Sequence, residues 1–171
     1  KSIGSTKKVT KAMELVSAAK MRKATGQVLA SRSYAILAAM LIKKLSQKTA
    51  EKYHILLRPR AKIKKIAVLL ITSNRGLAGS FNSAIIQRAV NYINQKISEG
   101  KKVSLVVLGK KGRDFMAKRG FAIEADFPKA DVAPDATAIR PIARLLLKDF
   151  LTGSCDKVVL AYTDFISTLV A

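Results

Sequence analysis

The sequence predicts an α/β protein in which a long N-terminal coiled-coil helix is followed by a Rossmann-like domain with a parallel sheet. Two observations predict this fold. Residues 6–48 contain no proline and are rich in Ala, Lys, Leu, Met and Ser, a composition that favours helix. From residue 61 onward, short apolar runs alternate with stretches of helical spacing, which is typical of a parallel sheet covered by helices. We therefore expect two parts, a long helix over 1–52 and an α/β domain over 61–171.

The long helix carries a narrow apolar stripe. At about 1.5 Å per residue, a helix over 6–48 would be roughly 60 Å long, which exceeds the width of a small domain. Its apolar side chains recur at intervals of three and four residues, with a break near Gly26, as in a coiled coil. Many of these residues are small, so a partner helix would have to approach closely. The predicted stripe, here called the shaft seam, consists of Val9, Ala12, Val16, Ala19, Val28, Ala35, Ala38, Ile42 and Leu45.

A helix of this length needs a partner, because its apolar stripe would otherwise face water. The rest of the sequence holds no second long helix of this kind. The chain also stops at Ala171, a few residues after its last predicted strand, so we expect a truncated polypeptide. Glycine costs about 1 kcal/mol in a helix, so we expect a bend or a change of phase at Gly26. The alternative is an ordinary amphipathic core helix that is broken at Gly26.

The second part contains four predicted strands and three predicted helices. Two of the strands, at 66–72 and 103–108, are continuous apolar runs, as expected for strands that are buried on both faces. Asn82 is a candidate N-cap for the helix that follows the first strand. The remaining predicted elements are strands at 121–127 and 156–162 and helices at 82–98, 113–119 and 134–151.

The formal net charge is +21, from 32 Lys+Arg and 11 Asp+Glu, and this charge limits the kinds of partner that the chain can be expected to bind. Such a charge indicates an acidic partner, which could be nucleic acid, an anionic membrane surface or an acidic protein. The single cysteine, Cys155, excludes an internal disulfide framework and suits a reducing compartment. No apolar run reaches the roughly 20 residues needed to span a bilayer, so a cytoplasmic location is expected.

A loop with two glycines, residues 73–80, follows the first buried strand and precedes a helix. Phosphate binds at this position in many nucleotide-binding domains. A P-loop requires Lys and then Ser or Thr after its second glycine, but Ser and Phe follow Gly79 here, and the pattern G-x-G-x-x-G is absent. We therefore predict a structural turn formed by Arg75, Gly76 and Gly79, in which Gly76 needs a positive φ.

The sequence offers little for catalysis or metal binding. Its single histidine, His54, lies in a different segment from Cys155, and one histidine with one cysteine cannot supply a structural zinc site. Asp126, Asp131 and Asp135 cluster near a strand end, but their loop is rich in turn formers, so solvated carboxylates are the better interpretation. We predict no catalytic residue, no cofactor and no metal ligand.

Two motifs resemble those of a known family. Residues 10–21 (TKAMELVSAAKM), which KKV precedes, resemble the N-terminal helix motif of the gamma subunit of rotary ATP synthases. Residues 71–79 (ITSNRGLAG) resemble the second signature of that family, which usually has aspartate at the position of Asn74 and often cysteine at that of Ala78. Residues 31–34 (SRSY) also fit the family helix. The resemblance covers nearly the whole chain, in order.

The resemblance implies a non-catalytic rotor subunit. In that family a C-terminal helix pairs with the N-terminal one as an antiparallel coiled coil, the central shaft, inside a ring of alpha and beta subunits. The α/β domain lies beside the epsilon subunit and the membrane c-ring, with one copy per complex on the cytoplasmic side of the cell membrane in bacteria. No cofactor or nucleic acid is implied. The residues expected to face the acidic stator are Lys7, Lys8, Lys11, Met13, Val16, Lys20, Arg22 and Lys23.

Two other functions remain open from the residues. A basic nucleic-acid-binding α/β protein would account for the charge. Against it, tryptophan is absent, the aromatic content is 6%, and basic and aromatic residues do not alternate as base stacking would require. A nucleotide-binding enzyme would need Gly76 and Gly79 to cradle a phosphate, without the motif residues that normally hold one.

Overall fold

A computed structural model describes residues 2–48, 54–57, 60–129 and 136–167. The chain divides into two compact units, Lys1–Tyr53 and His54–Ala171. The first unit contains one long helix, and the second contains a parallel sheet with helices. The predicted fold class is therefore confirmed.

Helix α1 runs from Ser2 to Lys48 and contains 47 residues. It continues through Gly26, so the break in the apolar spacing there changes the phase of the stripe and does not end the helix. One glycine costs about 1 kcal/mol, which the good helix formers in the neighbouring turns offset. The predicted residues 49–52 lie outside the described residues. No helix in the described ranges is long and apolar enough to cross a membrane.

Almost every described side chain of α1 is exposed, on all sides of the helix. The shaft seam is included, since Val9 is 57% and Ile42 58% exposed. Glu14 is the only carboxylate between residues 2 and 48, and it forms an ion pair with Lys11 at 3.0 Å. With so little burial along its described residues, α1 depends mainly on its backbone hydrogen bonds and on helix propensity, which give only marginal stability to a helix in water.

The second unit is built on a four-stranded parallel sheet in the order β3-β2-β1-β4. Three helices connect the strands, and a short 3-10 helix, Ile55–Leu57, precedes β1. The strands are β1 Lys65–Ile71, β2 Lys102–Leu108, β3 Ile123–Phe127 and β4 Lys157–Ala161. The helices are α2 Phe81–Ser98, α3 Lys110–Lys118 and α4 Ala136–Leu151.

Each face of the sheet has its own apolar core, because successive side chains of a strand point to opposite faces. Helices α2 and α3 cover one face and α4 covers the other. The first core consists of Ile66, Val68, Leu70, Ile85, Ile86, Ala89, Val90, Ile93, Leu105, Val107 and Met116. The second core consists of Ala67, Leu69, Val106, Ile142, Leu146 and Cys155.

Three predicted boundaries need correction. Asn82 is not the N-cap of α2, because the helix begins at Phe81 and the amide side chain of Asn82 pairs with Ser73 instead. Helix α3 begins three residues earlier than predicted, since Gly109 turns the chain directly from β2 into the helix. Strand β3 begins only at Ile123, two residues later than predicted. Residues 134 and 135 of the last predicted helix lie outside the described ranges.

Asp156 fixes the amino end of the sheet. Its carboxylate accepts hydrogen bonds from the backbone amides of Lys64 and Lys65, both at 2.9 Å, and its own amide donates to the Lys65 carbonyl at 2.8 Å. The two amide donors lower the pKa of the Asp156 carboxyl below its ordinary value. The start of β4 is thereby held beside the start of β1.

We expect amide hydrogen exchange to separate the two units. The amides of Ile66–Leu70 and Leu105–Val107 should exchange slowly, because they lie in the buried centre of the sheet. The amides of residues 9–19 should exchange quickly, because the side chains of α1 are exposed. Mass-spectrometric exchange on a demonstrated monomer measures this, and strong protection of residues 9–19 in such a monomer would contradict it.

Replacing Asp156 with asparagine should make the protein less stable in a pH-dependent way. A carboxyl with a lowered pKa in the folded state stabilises it above the unfolded pKa, about 3.9, and that contribution is lost as the pH falls through the folded pKa. The difference in Tm between wild type and Asp156→Asn should therefore be steady from about pH 7 to about pH 5 and shrink below about pH 4. Asp164→Asn is the control, since the exposed Asp164 carboxylate accepts no hydrogen bond within the described residues. A difference that grows toward acid would refute the assignment.

Candidate functional site

The loop after β1 lies where a doubly wound domain would bind a nucleotide. Strands β2 and β3 follow on one side of β1, whereas β4 lies on its other side, so the order of the strands reverses at the carboxyl end of β1. Ligands of open α/β sheets bind at such a point. The loop and its neighbour, the start of α3, are therefore the first candidate site.

The amides at the start of α3 are already occupied by the chain itself. The amide of Lys110 donates to the side-chain oxygen of Asn74 at 3.2 Å, and the amide of Lys111 donates to the Ser73 carbonyl at 3.0 Å. The amide of Gly112 donates to Thr72 Oγ1 at 2.9 Å. A helix binds phosphate through its free N-terminal amides, and these three are not free.

Thr72 brings β1 and α3 into close contact. It is the buried polar residue at the end of β1, and its hydroxyl donates to the Gly109 carbonyl at 3.2 Å. A Cβ on Gly112 would lie 2.8 Å from Thr72 Oγ1, and a Cβ on Gly109 would collide with the Thr72 carbonyl. The two glycines are therefore needed for packing. Gly109 and Gly112 were given no role in the sequence analysis, and their spacing around two lysines was the available signal.

Asn74 joins three loops. Its Nδ2 donates to the Lys129 carbonyl at 2.6 Å, while its Oδ1 accepts from the Lys110 amide. An aspartate, which the family usually has here, could accept from Lys110 but could not donate to Lys129 unless it were protonated. The departure from the family motif thus has a structural consequence: the amide bridges the loops after β1, β2 and β3.

Ser73 and Asn82 close the same loop on its other side. The Ser73 amide donates to Asn82 Oδ1 at 3.0 Å, and Asn82 Nδ2 donates to Ser73 Oγ at 2.8 Å. The Ser73 hydroxyl in turn donates to the Arg75 carbonyl at 2.6 Å. These bonds hold the loop against the first turn of α2.

The predicted backbone role of Gly76 is wrong. Its φ is not positive, and the residues of the loop with positive φ are Leu77, at 59°, and Gly79, at 53°. A Cβ on Gly76 would meet only the end of the Lys111 side chain at 3.6 Å, an ordinary contact. Leu77 combines this uncommon backbone conformation with a fully exposed apolar side chain, which sequence reasoning did not single out.

The other residues considered for catalysis or metal binding do not form a catalytic group within the described residues. Cys155 is buried in the second core, where burial and then the charge of Asp149 raise the pKa of its thiol, so the less reactive protonated form is favoured. Asp126 forms an ion pair with Arg113 at 3.5 Å, while Asp131 and Asp135 lie outside the described residues. Within the described residues, no three His, Cys, Asp or Glu side chains are grouped to hold a metal.

Helix α1 is the second candidate site. Its geometry places the residues expected to face the stator on different faces of the helix. In a regular helix, Val9, Val16 and Lys23 are seven residues apart and therefore lie on one face, the face of the shaft seam. Met13 and Lys20 lie beside that face. Lys7, Lys11 and Arg22 lie on the opposite face, with Lys8 between the two. All eight of these side chains are exposed.

The C-terminal part of α1 has large apolar side chains in addition to those of the shaft seam. Between Ala35 and Leu45 its exposed large side chains occupy more than one face of the helix, so contact on one side alone would leave part of them in water. These residues are Ile36, Leu37, Met40, Leu41, Ile42 and Leu45.

The corrected loop geometry gives a matched pair of variants. Gly79→Ala should lower the free energy of unfolding by about 1 kcal/mol or more, because a Cβ is strained at a φ of 53°. Gly76→Ala should change it by less than about 0.5 kcal/mol, because its φ is not positive and its surroundings are open. Urea denaturation of both variants measures the difference. Equal losses, or a larger loss for Gly76→Ala, would show that the backbone has been assigned wrongly.

Comparison with known proteins agrees with the family resemblance of the two motifs. A sequence profile of the ATP synthase family matches residues 1–171. The ATP synthase gamma chain of Alkaliphilus metalliredigens is 38% identical over 169 residues, which are 99% of this chain and 57% of that protein. The gamma chains of Chloroherpeton thalassium and Thermosynechococcus vestitus are 37% and 36% identical, over 96% and 99% of this chain and 55% and 54% of theirs. The chain thus spans a little over half the length of these curated relatives.

A solved structure supports the fold. In the cryo-EM structure of the central stalk and c-ring of the Tetrahymena thermophila mitochondrial ATP synthase, one chain matches with a TM-score of 0.67 and 22% identity, over 93% of this chain and 66% of that chain. The profile match over the full sequence, rather than this structural likeness, shows the family. The chain belongs to the ATP synthase family, and the curated relatives named here are gamma chains of that enzyme.

Proposed function

We propose that the chain is part of the central-stalk rotor of an ATP synthase and transmits rotation between the membrane ring and the catalytic ring. The observation that carries this is α1, a continuous helix of 47 residues whose apolar positions are exposed along its whole length. Such a helix has the form of one strand of a shaft and needs a second helix along its seam. The membership in the ATP synthase family and the gamma-chain relatives support the same function.

The two faces of α1 would have different tasks. The shaft seam would pack against a second, antiparallel helix, and its alanines would allow that helix to come close. The opposite face, with Lys7, Lys11 and Arg22, would meet acidic surfaces of the alpha and beta subunits. Exposed ion pairs are worth about 1 kcal/mol or less each, so they can guide a rotor and still be broken at each step. The ion pair between Lys11 and Glu14 moderates the charge on that face.

The α/β unit would serve as the foot of the rotor rather than as an enzyme. Its partners would be the epsilon subunit and the c-ring, with one copy per complex, and the subunit would be peripheral to the cytoplasmic side of the membrane. The loop after β1 suits this function, because its residues 72–74 bind the first amides of α3 and leave no free amides there for a nucleotide. ATP chemistry would take place on other subunits.

Replacement of part of a relative tests the proposal. We would substitute this chain for the matching region of the Alkaliphilus metalliredigens gamma chain and assemble the hybrid with the other subunits of that ATP synthase. Restored ATP-driven ion pumping would support the rotor function. ATP hydrolysis without pumping, in a fully assembled complex that contains the hybrid, would contradict it.

Two adjacent alanines of α1 test the seam within that hybrid. Ala19 belongs to the shaft seam, whereas Ala18 lies on the other side of the helix, and both are exposed in the chain alone. Ala19→Gln should weaken the pairing of the shaft by about 1–3 kcal/mol and reduce the yield of assembled complex, because a larger side chain separates the two helices. Ala18→Gln adds the same bulk and should assemble normally. The amount of complex recovered for each variant gives the answer, and equal yields would count against the seam.

A further inference from the structure

An apolar groove lies between α4 and the edge of the sheet. Its volume is about 360 Å³, and it is lined by Leu56, Ala143, Leu146, Leu147, Phe150 and Val158. All of these residues belong to the second unit. Leu56 and Leu147, two large apolar side chains of its lining, are each 45% exposed. A groove of this kind on a soluble domain marks a binding surface more often than isolated exposed leucines do.

The spacing along α4 is that of a helix that pairs with another helix. Ile139, Ala143, Leu147 and Phe150 recur at intervals of four, four and three residues, and the first three are exposed. Alanine at the centre of this row leaves room for the backbone of a partner to approach. The row differs from the buried face of α4, which is formed by Ile142 and Leu146.

Basic side chains lie next to this row of apolar residues. Arg140, Arg144 and Lys148 each follow one of its apolar residues directly, and all three are exposed. None of them forms an ion pair with another residue of the described chain. The one carboxylate on α4 within the described residues, Asp149, lies near Cys155, whose thiol pKa its charge raises. Among the described residues, no ion pair therefore neutralises the positive charge beside the groove.

We propose that this groove binds an amphipathic helix of another polypeptide, with an apolar seam flanked by Glu or Asp. Large apolar residues of the partner would fill the groove, and its carboxylates would pair with Arg140, Arg144 and Lys148. A shallow apolar groove can accept side chains from a helix, whereas insertion into a lipid surface would need the apolar residues to project from the domain. The basic flank also disfavours a second copy of this chain, because like charges would then face each other across the interface.

Two synthetic peptides test the proposal on the purified chain. Both are about three heptads long with the same leucine and alanine seam, and they carry either glutamate or lysine at the flanking positions. The glutamate peptide should bind about tenfold or more tightly than the lysine peptide at low salt, with a smaller ratio at about 0.5 M salt. Fluorescence anisotropy measures the affinities, and hydrogen exchange should show protection of residues 139–150 on binding.

Matched variants separate the groove from the general charge of the chain and from the exposed residues of α1. Leu147→Ser should weaken binding of the glutamate peptide about tenfold, whereas Ile97→Ser, at a similarly exposed position on α2, should not change it. Arg144→Glu should weaken binding, and Arg88→Glu, at an exposed position of α2, should weaken it less.

Several results would overturn the proposal. Equal binding of the two peptides, or equal effects of Leu147→Ser and Ile97→Ser, would show that the groove is not the site. Protection of residues 139–150 by anionic lipid vesicles but not by the glutamate peptide would indicate a membrane surface. Protection without any addition, in a dimer of the chain or in a longer native polypeptide, would identify a second copy or another segment of the same polypeptide as the occupant.

Discussion

The burial of β1 on both faces is the constraint on which the α/β unit depends. Five successive residues, Ile66–Leu70, are buried, and they contribute alternately to the two cores. The strand pairs in parallel with β2 on one side and with β4 on the other. Both ends of β1 are fixed by polar contacts, with Asp156 at the amino end and Thr72 at the carboxyl end. A continuous apolar run therefore sets the position of every other element in the sheet.

Helix α1 follows the opposite rule, since it is formed by local preference and presents its apolar residues to water. The α/β unit buries its core within one chain, whereas the side chains of α1 have no comparable burial. Two consequences follow for the proposed rotor function. The α/β unit can act as a fixed body, and the helix can exchange its own exposure for contact with a second helix. The basic face opposite the seam can bind an acidic surface, because Glu14 neutralises only one of the many Lys and Arg side chains of α1.

The sequence predicted most of the fold because its signals were local. Apolar runs identified β1 and β2, and the helical spacing placed Ile142 and Leu146 on the buried face of α4. Two of the features that sequence reasoning missed depend on contacts that no helix or strand periodicity reports. Asn82 had the residue type of an N-cap, but a partner nine residues earlier, Ser73, determines its position. The packing of Gly109 and Gly112 depends on Thr72, about 40 residues away, and no local pattern reports such a contact.

The prediction for the loop after β1 shows the same limit. The spacing of glycines in the loop could only weaken the case for a P-loop, since a motif can be absent while its geometry is present. The structure adds that residues 72–74 bind the first three amides of α3, so the start of that helix offers a phosphate no free amide. Asn74 takes part with an amide group that also binds Lys129, so hydrogen bonds join the loops after β1, β2 and β3. The loop that binds a ligand in many related folds is here joined by hydrogen bonds to the start of α3 and to the segment after β3, contacts that a glycine pattern in the sequence cannot report.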